Sequence, residues 1–117
     1  MIRTTDRERL VPVTDVDGIQ VCVTPGPDGS VGVAVSGEID FHSAAALRRA
    51  VLAALTSYRG PVTIDLRYVT FCDCGGLDAL LMARAHAEQA GRPLCVTGAS
   101  RQVERLLLLT GTRTCLM

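Results

Sequence analysis

The residues with the most chemical potential lie in one short segment, residues 72–78, which reads CDCGGLD. Cys72 and Cys74 carry thiols, Asp73 and Asp78 carry carboxylates, and two glycines lie between them. A thiol at the start of a helix can have a lowered pKa and react selectively with oxidants. Backbone N–H groups at a helix start also favour a negative charge. The segment is therefore the candidate functional site.

Enzymatic and metal-binding interpretations of this segment are disfavoured by the sequence. A cysteine nucleophile needs an activating base, and neither His42 nor His86 is placed by the sequence to serve Cys74. A cysteine phosphatase loop would carry an arginine where Leu80 stands. A structural zinc site needs four ligands, usually in two close pairs, and the sequence offers one close pair of cysteines. We therefore expect no catalysis, no metal and no cofactor.

Length and charge limit the function classes further. A chain of 117 residues predicts one domain, and 3% aromatic residues predict an aliphatic core. Twelve basic residues balance twelve acidic ones, so no net charge draws the chain to nucleic acid or to a membrane. Every basic residue is an arginine, which excludes a Schiff-base lysine and a P-loop lysine.

The cellular compartment is predicted to be the cytoplasm. No apolar run precedes Leu10, and no run of about 18 apolar residues is present. The five cysteines are odd in number and their spacing fits no disulfide framework, so we expect reduced thiols. Cys22 and Cys95 lie in strand-like runs and are expected to be small core residues.

The first part of the chain predicts a tail followed by a β-hairpin. Residues 1–18 are charged and lack periodicity, which predicts a flexible N-terminal tail with at most a short ordered piece at 10–13. Residues 19–24 form the first predicted strand. The letters PGPDGS at 25–30 predict a turn. The alternating valines from Val31 to Val35 predict a second strand with one buried face.

The rest of the chain alternates helices and strands. The expected fold is a single α/β domain with a mixed four- to five-stranded sheet, in the order β-β-α-β-α-β-α, with helices mainly on one face. Leu108 and Leu109 make the last helix apolar beyond one stripe; we favour core positions for them over a partner-binding surface. The predicted segments are a helix at 43–58, a strand at 62–66, a loop before residue 74, a helix at 74–90, a strand at 94–97, a helix at 101–110, and a C-terminal end at 113–117 that adds a short strand or frays.

The candidate segment resembles a motif of STAS domains, in particular of the anti-sigma factor antagonists. Their segment D-L-x-x-V-x-F-x-D-S-[ST]-G-L-x-x-L is matched at Asp65, Leu66, Val69, Phe71, Asp73, Gly76, Leu77 and Leu80. Residues 36–40 resemble the family's S-G-E-[IL]-D. Residues 91–94 and 103–111 resemble its G-R-x-L and V-x-x-[LV]-L-x-L-T-G-L. The four motifs occur in the family's order and place a STAS domain at about residues 19–112.

The resemblance implies a function by protein–protein interaction. Antagonists of this family bind an anti-sigma factor, a GHKL-type serine kinase, and so release a sigma factor. The kinase phosphorylates a serine that follows the motif's aspartate, and here that position holds Cys74, followed by Gly75 where Ser or Thr is usual. The residues that the resemblance assigns to partner binding are Asp40, Asp73, Cys74, Gly75, Gly76, Leu77 and Asp78.

Three interpretations of Cys74 stay open. The chain can be an antagonist that phosphorylation no longer controls. Cys74 can instead be a redox switch, because sulfenic or sulfinic acid would place acidic oxygens where the phosphate would go. The neighbouring Asp73 and Asp40 oppose this by disfavouring the thiolate. Cys74 can also be a merely tolerated small residue.

Alternatives also remain for the acids and for the class of partner. Asp40 can contact the partner, cap the following helix, or do both. Asp78 can contact the partner or serve as a first-turn acid favoured by the helix dipole. The strand-end Asp65 has a structural or a functional role. The chain can also be a STAS subunit of a lipid-transport or stress-signalling complex, and a homodimer is possible.

Overall fold

The computed structural model of the protein describes residues 13–16 and 18–117. It confirms the predicted single α/β domain with a mixed sheet. A single turn of 3₁₀ helix at Pro27–Gly29 lies in the first hairpin. The strands are β1 (Val13–Val16), β2 (Ile19–Pro25), β3 (Val31–Ile39), β4 (Val62–Cys72) and β5 (Leu94–Ala99), and the helices are α1 (Phe41–Ser57), α2 (Cys74–Gln89), α3 (Arg101–Thr110) and α4 (Arg113–Leu116).

The five strands lie side by side in chain order. β2 is antiparallel to both of its neighbours, β1 and β3, whereas β3, β4 and β5 are parallel to one another. Parallel neighbours need a crossover connection, and α1 and α2 supply the two crossovers. These helices pack against each other, with α1 over β2 and β3 and α2 against β4 and β5. The carboxyl ends of β3 and β4 consequently meet at one edge, next to the starts of α1 and α2.

The core is aliphatic, as the composition predicts. Alternate residues of each strand point into it, so Val33, Ile64 and Val96 are 3% exposed or less. From α1, Leu47 and Val51 are fully buried one helical turn apart. None of the helices in the described part of the chain is long and apolar enough to cross a membrane.

Residues 67–72 form the second half of β4, and the prediction of a loop there is wrong. The pairing of β3 with β4 shifts between Ala34 and Ser36 and again between Gly37 and Glu38. Such bulges re-aim the side chains that follow them. Val69 is therefore buried while Tyr68 and Phe71 are exposed, and this interrupted alternation hides the strand in the sequence.

Both ends of the domain hold more structure than the sequence predicts. β1 lies inside residues 1–18, which were expected to be a tail, and it pairs with β2 from Val13 opposite Cys22 to Val16 opposite Ile19. The expectations for residues 1–12 and for residue 17 lie outside the described residues. At the other end, α4 replaces the expected strand or fraying, because Leu116 packs into the core at 1% exposure.

Two further burial predictions are wrong. Leu108 and Leu109 are 63% and 77% exposed, since α3 turns Val103 and Leu107 toward the core instead. Cys95 is exposed and Cys22 is half-buried, so neither is a core residue. Both cysteines stand at strand positions that alternate with the core valines, and their side chains consequently point away from the core.

Arg92 ties the end of α1 to the chain that follows α2. Its Nε and Nη2 donate to the carbonyl oxygen of Gly60, at 3.2 and 2.8 Å, and its Nη1 donates to the carbonyl oxygen of Leu55. Carbonyls in the last turn of a helix have no partner within the helix, so a half-buried guanidinium there satisfies groups that would otherwise be unpaired. This contact gives a physical reason for the arginine of the G-R-x-L motif.

Replacing Arg92 by alanine should lower the free energy of unfolding by about 2 kcal/mol, because hydrogen bonds from a charged group are lost to partly buried carbonyls. Urea denaturation measures the change. Arg49→Ala, at an exposed position of α1, is the control and should stay within about 0.5 kcal/mol of the parent. Equal effects of the two variants would contradict this role of Arg92.

Candidate functional site

The candidate site is built from two helix starts at one edge of the sheet. Ile39 and Cys72 are register partners at the ends of the parallel strands β3 and β4. The residues that follow them, Asp40 and Asp73, are the N-caps of α1 and α2. The Asp73 N–H donates to the carbonyl oxygen of Ile39 at 3.1 Å, which joins the two corners directly. Two carboxylates therefore stand at adjacent helix starts.

Asp40 forms a capping box with Ser43. Its Oδ1 accepts hydrogen bonds from the backbone N–H groups of His42 and Ser43, at 2.9 and 3.0 Å. The buried Ser43 hydroxyl accepts from the Asp40 N–H at 2.9 Å and donates to the Glu38 carbonyl oxygen at 2.8 Å. Asp40 is therefore the cap of α1, one of the two roles that the sequence left open.

The capping bonds lower the pKa of Asp40. The backbone hydrogen bond from Ser43 is the largest cause, and partial burial opposes it. Because folding lowers this pKa, the charged carboxylate stabilises the fold above the ordinary pKa of an aspartate. This stabilisation is lost as the pH falls through the lowered value. Asp40 is thus a negative charge at neutral pH.

The start of α2 depends on a close approach at Gly76. Asp73 Oδ1 accepts from the Gly76 N–H at 2.9 Å and so caps the helix. A Cβ atom on Gly76 would lie 2.5 Å from Ile39 Cγ2 and 2.9 Å from both Cys72 Sγ and the Ile39 carbonyl oxygen. A Cβ on Gly75 would lie 3.3 Å or more from its neighbours. Gly76 therefore lets α2 sit directly on the end of β3.

The two thiols of the segment have different environments. Cys72 is half-buried and its Sγ–H points to the carbonyl oxygen of Asp73 at 3.6 Å. Burial is the largest cause that raises the pKa of Cys72 to about 12, and the neighbouring acidic groups of Asp73 and Cys74 contribute by charge repulsion. Cys72 is consequently a neutral thiol at physiological pH. Cys74 is exposed, so it is the thiol of this pair that a partner or an oxidant can reach.

The predicted site residues divide by burial. Cys74 and Asp78 are exposed, and Asp40, Asp73 and Gly75 are half-buried. Gly76 is buried, and Leu77 is 6% exposed and belongs to the core. The Leu77 side chain holds α2 on the sheet, so neither Leu77 nor the buried Gly76 is included in the docking surface proposed below.

Asp65 has a local bracing role. Arg67 holds its carboxylate with two guanidinium nitrogens, Nε at 3.0 Å from Oδ1 and Nη2 at 2.8 Å from Oδ2, and its backbone N–H donates to the same carboxylate at 3.0 Å. The hydrogen bond from the Arg67 side chain is the main reason that the pKa of Asp65 is lowered. The pair braces the first bulge of β4. This contact favours a structural role for Asp65 over a functional one.

Three exposed residues beside the site were not among the predicted site residues. Phe41 is the first residue of α1 and is 79% exposed, and Met82 of α2 is 45% exposed. Arg48 of α1 is also exposed, and its Nη1 lies 3.9 Å from the Met82 sulfur. The one signal in the sequence is that Phe41 falls outside the apolar stripe through Leu47.

Among residues 13–16 and 18–117, no group of three or more His, Cys, Asp or Glu side chains is arranged so that it could hold a metal ion.

The chain belongs to the STAS domain family. The family model described as "Mlab, STAS domain" matches residues 22–117, most of the chain. A search of the curated proteins found no match.

Solved structures with this fold include anti-sigma factor antagonists. An antagonist from Mycobacterium paratuberculosis has a TM-score of 0.75 and 29% identity, over 88% of this chain and 86% of that chain. The antagonist SpoIIAA in its unphosphorylated form has a TM-score of 0.65 and 16% identity, over 92% of this chain and 85% of its own. The phosphorylated form of SpoIIAA, a Bacillus cell fate determinant, has a TM-score of 0.60 and 15% identity, over 92% and 88%. At these identities the two SpoIIAA structures show similarity of fold alone.

Gly76→Ala should destabilise the protein by about 1–3 kcal/mol, because the added methyl group must displace Ile39 or its carbonyl. Gly75→Ala is the matched control at the preceding position of the same helix. There the added Cβ would lie 3.3 Å from Asp73 Oδ1, so a side-chain atom has to shift by only a few tenths of an ångström. Alanine favours a helix by about 0.5–1 kcal/mol over glycine, so stability should stay close to that of the parent. Thermal and urea denaturation compare the two variants. Equal stability would contradict the close packing of α2 on β3.

Proposed function

We propose that the chain is an anti-sigma factor antagonist that binds a GHKL-type anti-sigma kinase in the cytoplasm and so releases a sigma factor. The observation that carries the proposal is the pair of capped helix starts, with Asp40 and Asp73 side by side and Cys74 exposed next to them. This edge lies in a fold shared over most of its length with a 29% identical antagonist. In this proposal the chain contributes a binding surface and no catalysis.

The proposed docking surface consists of Asp40, Asp73, Cys74, Gly75 and Asp78. Of its exposed members, Cys74 is the first residue of α2 and Asp78 lies four residues later, just past the first turn. Three carboxylates and no basic side chain belong to the surface, which favours a partner with basic groups facing it. The rigid caps keep the surface in one geometry, so little conformational entropy is lost on docking.

Cys74 sets how this docking is regulated. A phosphate would add about −1.5 to −2 charges beside Asp73 and Asp40, and it would oppose docking by repulsion and desolvation. A thiol offers a serine kinase no hydroxyl to phosphorylate. We therefore infer an antagonist that stays competent to bind while the kinase is active. Oxidation of Cys74 to a sulfinic acid by two equivalents of a peroxide, each reduced to water or an alcohol, is the alternative control, since it would add a negative charge at the same place.

Cys74→Ser should restore phosphorylation. After incubation with the anti-sigma kinase and Mg-ATP, intact-protein mass spectrometry should find the parent unmodified and the Cys74→Ser variant carrying one phosphate. Cys95→Ser, an exposed cysteine on β5, is the control and should stay unmodified. A phosphorylated parent chain would place the acceptor elsewhere and refute the role given to Cys74.

Asp78→Arg should weaken binding to the kinase about tenfold or more, because a charge reversal at the proposed surface juxtaposes like charges. Glu88→Arg makes the same change of charge on the last turns of α2 and should leave the affinity within about twofold, since its ion pair with Arg84 is exposed at the surface. Isothermal calorimetry measures both. If Asp78→Arg binds the kinase with unchanged affinity, Asp78 does not contact the partner and serves only as an acid that the helix dipole favours.

The class of partner distinguishes the proposal from its alternative. Affinity capture with the full chain should recover a GHKL-type kinase, and the purified pair should form a complex. Recovery of a transport ATPase or a stress-signalling scaffold that binds the purified chain, with no binding to any kinase of that type, would favour a STAS subunit of another complex.

A further inference from the structure

A groove between α1 and α2 continues the proposed docking surface. It is an open groove of about 300 Å³, and most of its lining is apolar. Its floor is made of small residues, which leave room for a side chain from outside. The lining residues are Phe41, Ala44, Ala45 and Arg48 from α1 and Gly75, Asp78, Ala79 and Met82 from α2.

Two large apolar side chains that line this groove are exposed to solvent. Phe41 is 79% exposed and Met82 is 45% exposed, and neither belongs to the core. Single exposed apolar residues are normal, but these two line one concave surface. Aromatic residues and methionine are enriched in protein interfaces, and methionine adapts its shape to the group that it receives. Covering the groove would therefore remove apolar surface from water.

The charges at the groove suggest what covers it. Arg48 approaches it from α1 and Asp78 from α2. Neither of them joins the ion pairs found within the described residues. A partner segment with an acidic group toward Arg48 and a basic group toward Asp78 would match both charges. The groove thus combines a mostly apolar lining with one charge of each sign.

The geometry points to an anchor site for the anti-sigma partner: the groove receives one large apolar side chain, carried by the partner between an acidic and a basic residue. This inference rests on the proposed function. Gly75 and Asp78 belong both to the docking surface and to the groove, so a protein seated on the docking surface covers the groove as well. A buried anchor side chain in a pocket is the usual source of most binding energy in an interface.

A small molecule is a poorer occupant of this groove. Ligand pockets usually bury most of the surface of their ligand and place several polar groups around it. This groove is open to solvent along its length, and Arg48 and Asp78 supply its charged groups. Its shape fits the protruding side chain of a protein surface.

The test fills the groove with a substitution at a residue that is not one of the five docking-surface residues. Ala45→Arg places a long charged side chain in the groove at an exposed position of α1. Ala53→Arg makes the same change eight residues further along α1, at an exposed position outside the groove. Calorimetry with the purified anti-sigma kinase as the probe should give an affinity at least about tenfold lower for Ala45→Arg and an unchanged affinity for Ala53→Arg.

A second pair of variants removes apolar surface instead of adding charge. Phe41→Ala should weaken binding about tenfold, whereas Leu108→Ala, which truncates an exposed leucine on α3, should not. Circular dichroism melts identify any variant that fails to fold. Light scattering of the isolated chain measures its molar mass and so its oligomeric state. The inference is supported if the chain is a monomer and if its affinity for the kinase falls in the groove variants.

The outcomes separate the inference from the proposed function. If the kinase binds the parent and Ala45→Arg equally, the anchor site is refuted while the proposed function stands. If the kinase does not bind the parent chain, both fail. If the parent is a dimer that Ala45→Arg converts to a monomer while kinase binding persists, the groove is occupied by a second copy and the inference is overturned.

Discussion

The parallel pairing of β3 with β4 is the constraint on which the site depends. It brings Ile39 and Cys72 to one edge, and the Asp73 N–H then bonds to the Ile39 carbonyl oxygen at 3.1 Å. α2 can begin there because Gly76 leaves no side chain between the helix and Ile39. If this approach were lost, Asp40 and Asp73 would cap two helices with no fixed relation to each other. The proposed docking surface depends on this join between the two caps.

The local chemistry of the caps also determines the charge of the surface. Backbone N–H groups hold both carboxylates at the helix starts, and they lower the pKa of Asp40, so the edge is negative at neutral pH. Cys72 is kept neutral by burial and by Asp73. The exposed Cys74 adds no charge as a thiol. A phosphate or an oxidised sulfur at this position would add negative charge beside Asp73, so the proposed control depends on the residue type at position 74.

Much of this arrangement is readable from local sequence. The bounds of α3 are those predicted, the alternating valines of β3 are buried, and Asp40 caps α1, one of the roles considered for it, because period and cap chemistry are local properties. The remainder depends on contacts distant in the chain. The bulges of β4 break the alternation of its buried and exposed residues, and β1 is a strand only through its pairing with β2. Leu108 and Leu109 have the same side chain as the buried Leu107, so residue type alone does not tell which leucine is exposed. Phe41 beside the groove was missed because its position outside the apolar stripe indicates exposure and does not indicate a groove.

The release of a bound sigma factor tests the central claim most directly. A purified complex of sigma factor and anti-sigma kinase, with Mg-ATP present, is mixed with the chain, and free sigma factor is followed over time by a fluorescence-anisotropy assay. The account predicts that sigma factor is released and stays released through many kinase turnovers, because Cys74 offers no phosphoacceptor. Absence of release would contradict the antagonist function. Release followed by recapture in ATP, but not without ATP, would contradict the loss of phosphorylation control.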